Sequence, residues 1–304
     1  MSAIARLVHV AAVLVCISVP AAAHTYVVLQ APFPNTQGTF ARGVNNAGAV
    51  VGTYVELNGR QHGFLYRHGR YVSIDVPHSR HTQATGINDL GVIVGFYEDV
   101  HGTHAFRYDG LFARLDVPFA KAIATFATGI NNHGQIVGYY NDGIRSSGYL
   151  YDRGRFVSIG VPNSSTTTLF GINDKGEIVG TALDDRFQSF IYSDGVFTPF
   201  DVPFANAFDF GALGINDRGD VVGYFQTGTP QANTGLHGFL AANGMYDQID
   251  VPGGINPMVW GINNCGVMVG DFVSTVGPQM FSGFIAVPTE QDRRAHYPPA
   301  LDHD

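Results

Sequence analysis

Gly86-Ile87-Asn88-Asp89-Leu90-Gly91-Val92-Ile93-Val94-Gly95 decides how this chain folds, because close copies return with first glycines at Gly43, Gly129, Gly171, Gly214 and Gly261. Successive first glycines stand 43, 43, 42, 43 and 47 residues apart, a period that belongs to propellers, solenoids and arrays. A fixed period running through most of 304 residues favours one domain of stacked units over two unrelated domains.

Reading outward from this stretch, Ala84 to Asn88 is a short strand. Asn88-Asp89-Leu90-Gly91 has the residues of a type I turn closed by a left-handed glycine. Val92 to Tyr97 is nearly continuous apolar and β-branched, which suits a strand covered on both faces. A polar loop, Glu98 to Thr103, leads to strand His104 to Tyr108, hairpin Asp109-Gly110 and a fourth strand, Leu111 to Val117. Pro118 then fits the end of an edge strand, since it cannot donate to a ladder. Each unit therefore reads as a four-stranded antiparallel meander, the blade of a propeller.

The sixth unit stops after Phe281 to Val287 without a fourth strand, while Tyr26 to Phe33 aligns on the fourth-strand segment Phe112 to Phe119. The expected fold is an all-β, six-bladed β-propeller whose N-terminal strand completes the last blade and leaves no spare edge. An open solenoid of the same units would expose both ends.

Residues 1–23 read as a secretory signal peptide: Arg6, then an apolar run from Val8 to Val19, then Ala21-Ala22-Ala23 before His24. A retained anchor is the rival, but the run is shorter than the roughly 20 residues of a spanning helix. The expected domains are 1–23 leader, 24–288 propeller and 289–304 a disordered tail, polar and Pro-containing without periodicity. A secreted or periplasmic monomer follows, with no membrane insertion after cleavage. Only Cys265 remains beyond the leader, at an exposed turn position, so no internal disulfide forms. A formal charge of −8 with 17 basic residues argues against nucleic acid, whose binding rests on Lys and Arg meeting phosphates.

His104-Ala105-Phe106, His62-Gly63-Phe64 and His237-Gly238-Phe239, alternating with the Gly-Ile-Asn motif, resemble the bacterial extracellular repeats named HAF after that tripeptide. The resemblance covers about residues 26 to 287 and implies an exported bacterial protein, with no reaction or ligand to transfer. The equivalent positions read Ser147-Gly148-Tyr149, Gln188-Ser189-Phe190 and Ser282-Gly283-Phe284, so the histidine reads as a strand-start residue rather than a ligand.

His-Glu-x-x-His, a phosphate loop ending in Lys, Cys-x-x-Cys and Gly-x-Ser-x-Gly are absent from the sequence. The repeated Asn-Asp turns offer at most one carboxylate each, against the 6–8 oxygens calcium takes, so they read as hairpin builders; no metal and no cofactor is expected. Glu56, Asp99, Asp142 and Asp184 form an acidic arc of solvated loop ends. If the Gly-Ile-Asn strand is innermost, the channel mouth falls four or five residues before each first glycine. The expected binding set is Thr39, His81, Thr82, Thr125, Thr167, Asp209 and Asn256. Within it, His81 and Asp209 are the first pair to test as base and orienter. The insertion Gln226 to Leu236 reads as a lid or contact loop. The expected function is a non-catalytic binding or scaffolding module for an extracellular carbohydrate, peptide or envelope protein. The alternatives are a propeller enzyme, a polysaccharide lyase or hydrolase, working at the mouth, and a purely structural surface protein.

Overall fold

The computed structural model describes residues 24–119, 121–183, 187–229, 232–277 and 280–296. The expected leader, Asp184 and residues 297–304 of the expected tail lie outside them. The chain opens with β1 (His24–Leu29). The first unit holds β2 (Thr36–Val44), β3 (Val50–Glu56), β4 (Gln61–Arg67) and β5 (Arg70–Ile74), the second β6 (His81–Ile87), β7 (Ile93–Asp99), β8 (Gly102–Tyr108) and β9 (Phe112–Arg114). The third holds β10 (Ala124–Ile130), β11 (Ile136–Asn141), β12 (Ser146–Asp152) and β13 (Arg155–Ile159), the fourth β14 (Thr166–Ile172), β15 (Ile178–Leu183), β16 (Phe187–Ser193) and β17 (Val196–Phe200). The fifth holds β18 (Ala207–Ile215), β19 (Val221–Thr229), β20 (Ala232–Ala242) and β21 (Met245–Ile249), the sixth β22 (Gly254–Ile262), β23 (Met268–Ser274) and β24 (Phe281–Pro288), followed by α1 (Glu290–His296).

Consecutive strands of every unit pair antiparallel, and β1 pairs antiparallel with β24, from His24 opposite Pro288 to Leu29 opposite Gly283. The sixth unit thus takes its fourth strand from the start of the chain. Single parallel bridges, Gly38 to Phe281 and Thr103 to Ala124, join units six to one and two to three. By hydrogen bonding there are four sheets, two of eight strands and two of four.

Apolar packing runs between units rather than inside them. Ile93 packs with Ile74, Ala84 and Phe106 between units one and two, while its neighbour Val94 packs with Ala127 and Ile136 between units two and three. Successive side chains of a strand point to opposite faces, which is why the second strand of each unit is apolar without alternation. Leu29, Val50, Phe64 and Val269 form the equivalent cluster between units six and one. The aromatic of the HAF position, such as Phe64, Phe106, Phe239 or Phe284, is fully buried, each worth about 1.5–3 kcal/mol.

The Asn turns add a second tie. Asn88 Oδ1 accepts from the Val92 N–H (2.9 Å), closing its own hairpin, and Gly91 takes φ 77°, where a side chain would be strained. Asn88 Nδ2 donates to the Asn131 carbonyl (3.1 Å), Asn131 to Asn173, Asn173 to Asn216, Asn216 to Asn263, and Asn263 to Asn45 (2.9 Å), which donates to Asn88. One residue on, a parallel relay runs from each backbone N–H to the next unit's side-chain oxygen: Asn46 to Asp89, Asp89 to Asn132, Asn132 to Asp174, Asp174 to Asp217, Asp217 to Asn264, and Asn264 to Asn46. The turn carboxylates are therefore committed to neighbouring backbone. Asn131→Ala removes the acceptor of the part-buried His133 and Gln135 N–H groups, at about 1 kcal/mol each; the expected loss is about 2 kcal/mol in urea unfolding, with the m-value unchanged.

Two expectations change. Residues 290–296 of the expected disordered tail are helical, with Asp292 and His296 buried, because their side chains meet partners on β1 and β21 that the tail's own composition does not reveal. The insertion after Phe225 is a lengthened hairpin, Gln226 opposite Leu236 and Thr229 opposite Ala232, since its Thr-rich flanks can keep pairing. Cys265 is free and exposed, as its turn position implies. Among the described residues, no helix is long and apolar enough to cross a membrane.

Candidate functional site

The first glycines of all six units line one central cavity of about 270 Å³, so the Gly-Ile-Asn strand is innermost. Val44, Ile87, Ile130, Ile172, Ile215 and Ile262 line its lower end, and the same six border the Asn-Asp turns beyond. The other end is walled by the residue just before each first glycine: Arg42, Thr85, Thr128, Phe170, Leu213 and Trp260, with Gln83, Phe96 and Tyr139 beside them.

Two of these are framework. Thr85 Oγ1 donates to the Ala127 carbonyl (2.9 Å) and Thr128 Oγ1 to the Leu169 carbonyl (2.8 Å), tying adjacent inner strands. The aromatic wall is ordered by Phe126, edge-on to Phe96 at 4.9 Å and stacked on Tyr139 at 4.5 Å. Across from it, Arg42 Nη1 donates to Asp271 Oδ1 (3.0 Å), and its guanidinium carbon lies 3.9 Å from the Trp260 ring centroid. The Asp271 side chain is 7% exposed and that of Arg42 19%. Burial pushes the Asp271 carboxyl up, opposed by the Arg42 charge and the nearby Trp260 indole, whose N–H stays outside hydrogen-bond geometry. A guanidinium stacked on an indole and paired with one carboxylate leaves donors free in a largely apolar cavity.

The expected mouth residues are placed differently. Thr39, Thr82, Thr125 and Thr167 are buried, and their hydroxyls accept from the backbone N–H of Ala31, Val76, Val117 and Val161. They fasten the end of one unit to the start of the next and do not line the central cavity. The reason is parity: the residue directly before the glycine lines the channel, whereas position four faces the sheet interior. His81 lines an adjoining cavity of about 290 Å³ with Gln61, Gln83, Glu98 and Thr103, and its Nδ1 accepts from the Gln61 N–H (3.2 Å). Asp209 is part-buried on the fifth unit, its carboxyl pushed up by burial. His81 and Asp209 share no hydrogen bond or ion pair. Asn256 is exposed and accepts from the Leu236 N–H at 3.4 Å.

The repeated histidines hold outer strands together. His62, His104 and His237 place Nδ1 at 3.1, 2.8 and 2.8 Å from Asp75, Asp116 and Asp250. Glu56 and Asp99 of the acidic arc lie at 3.5 and 3.4 Å from Nε2 of His62 and His104, while Asp142 accepts from the Ile144 and Arg145 N–H groups. These carboxylates serve their own loops. Arg42, Trp260, Asp271, Phe96 and Phe170 were not among the expected site residues, although the signal was present. The column before the first glycine reads Arg, Thr, Thr, Phe, Leu, Trp through the six copies, varied beside a glycine that every copy keeps.

No protein-family model and no curated protein matches the sequence. Among solved structures, the chain is similar to a protein of unknown function from Dyadobacter fermentans DSM 18053 (13% identity, TM-score 0.53, covering 87% of this chain and 98% of that one). It is similar also to SapL1 lectin, solved with alpha methyl fucoside (12%, 0.52, 78% and 88%). A third is the fungal lectin of Aleuria aurantia, a six-bladed β-propeller (11%, 0.51, 84% and 97%). At such identities the likeness speaks for the fold alone, and the conclusion is that this chain has an all-β, propeller-like architecture.

Proposed function

We propose that the six units are the blades of a closed six-bladed propeller, with β1 completing the last, and that the chain is an exported, non-catalytic binding module for an extracellular carbohydrate. The observation that carries this is the cavity of about 270 Å³ walled by Trp260, Phe96, Tyr139 and Phe170 and bearing the Arg42 guanidinium, which Asp271 fixes from behind the wall. Flat aromatic faces pack against the apolar faces of sugar rings, and a fixed guanidinium meets their hydroxyls. A cavity of about 270 Å³ with aliphatic side chains at one end suits one or two rings better than a peptide or an envelope protein. Lectins such as SapL1 and that of Aleuria aurantia share the architecture, which agrees with this reading without supplying its ligand. The enzyme reading loses its first pair, since His81 and Asp209 sit on units two and five.

Trp260 is the only tryptophan, so intrinsic fluorescence reports on the mouth. On a panel of neutral mono- and disaccharides, including methyl fucosides, at least one is expected to shift this emission saturably. Trp260→Ala should then weaken binding about tenfold by an independent calorimetric readout, as expected for a lost aromatic contact of about 1–1.5 kcal/mol. Binding undiminished in that variant, or no response across a broad glycan panel, removes the proposal.

A further inference from the structure

Away from the channel, three distant stretches of chain meet beneath the C-terminal helix. His24 begins β1, the outer strand of the sixth unit; Asp247 lies on β21, the outer strand of the fifth; Asp292 and His296 stand one turn apart on α1, hence on one face of that helix. His24 and Asp292 are each 4% exposed and His296 6%. Two imidazoles and two carboxylates in such a place are costly unless something compensates them.

Their spacing indicates what does. His24 Nε2 lies 3.3 Å from Asp292 Oδ2, His296 Nε2 lies 2.9 Å from Asp247 Oδ2, and His296 Nδ1 lies 3.1 Å from Asp292 Oδ1. One ligand atom each from Asp247, Asp292 and His296 fall within 4.8 Å of one another. Buried His24 Nε2 and Asp292 Oδ2 face each other without a hydrogen bond. Ligand atoms about 2.0–2.1 Å from a tetrahedral zinc ion stand roughly 3.3 Å apart, close to the 2.9 Å between His296 Nε2 and Asp247 Oδ2. The contact from His296 Nδ1 to a carboxylate is also the kind that orients a ligating imidazole.

We propose that Asp247, Asp292 and His296 form a structural site for a divalent transition metal of the zinc type, with the fourth position open and His24 held against Asp292 beside it. One imidazole and two carboxylates suit zinc; the set offers too few oxygens for calcium. The ion ties α1 to β21, and the His24–Asp292 contact carries that tie on to β1, the outer strand of the sixth unit. Its binding energy then adds to folding.

The test uses the full-length protein stripped with EDTA and titrated with zinc chloride, and in parallel with cobalt chloride. The expected results are uptake of one equivalent, the intense visible absorption of four-coordinate cobalt, and a rise in Tm of about 5 °C or more at a hundredfold excess over Kd. His296→Ala and Asp292→Asn should abolish all three. Both residues are buried, and either variant can fail to fold, so Asp247→Asn, on a partly exposed side chain, provides the second arm, with zinc affinity lowered at least about tenfold. Absence of stoichiometric uptake by the wild type, or an affinity unchanged in Asp247→Asn, overturns the site.

Discussion

Gly95→Ala is expected to abolish folding or lower stability by more than about 4 kcal/mol, whereas Gly91→Ala, four residues earlier in the same hairpin, costs about 1–2 kcal/mol. The chemical change is identical and the environments are opposite. A methyl group on Gly95 would fall on the carbonyl oxygen of Gln83, well inside contact, and would stand 3.0 Å from Cε1 of Phe106. The carbonyl belongs to the innermost strand and the ring to the buried third strand, so neither yields without opening the unit, and overpacking of that kind lies at the severe end of single substitutions. Gly91 has open space around it and a φ of 77°; there alanine suffers only left-handed backbone strain. Gly52, Gly180, Gly223 and Gly270 repeat the arrangement of Gly95, each with the aromatic of its own third strand overhead. The last glycine of the motif and the aromatic of the HAF position are thus two halves of one contact, which explains why they recur together. Urea unfolding of the two variants side by side checks this, and comparable stability of both would contradict it.

Much of this fold was legible because a repeat states the same rule six times. Four-stranded units, the hairpin at each Asn turn and the borrowed first strand all follow from patterns local to one copy. What escaped was interaction between copies. Asn88 builds its own turn, which its neighbours in sequence declare, but its amide reaches the Asn131 carbonyl, and no local pattern names that partner. The channel mouth was lost by one step of register: the threonines four residues before the glycine recur in the first four units because they fasten backbone, and alternation along the strand turns them away from the channel. The residue directly before the glycine faces it and varies around the cavity, from Arg42 through Thr85 and Thr128 to Phe170, Leu213 and Trp260. The His24 cluster was invisible for another reason. Its members lie outside the repeat or on its edge, and only the spacing of Asp292 and His296 hints at a shared face.

Asp271→Leu is expected to destabilise the protein by about 3 kcal/mol, and Arg42→Leu combined with Asp271→Leu to return to within about 1 kcal/mol of wild type. Removing one member of a buried ion pair leaves the other without a counter-charge, a loss of roughly 3–5 kcal/mol in fully buried pairs; the partial exposure of Arg42 sets the expectation at the lower end. Replacing both members with apolar side chains removes the desolvation as well as the attraction. The pH dependence has a definite sign. Burial raises the Asp271 carboxyl above its ordinary 3.8, so the folded chain keeps this proton longer than the unfolded one. Between those two values the folded state binds more protons, and the contribution of Asp271 declines as pH rises through them. Both variants should lose that decline, which unfolding curves measured from pH 3 upward will reveal. The double variant then separates framework from recognition. If the pair serves ligand binding, a protein of near-native stability should bind the responsive glycan at least about tenfold more weakly, because its guanidinium is gone while Trp260 remains. Undiminished affinity in that stable variant would assign the pair to packing alone and leave recognition to the aromatic wall.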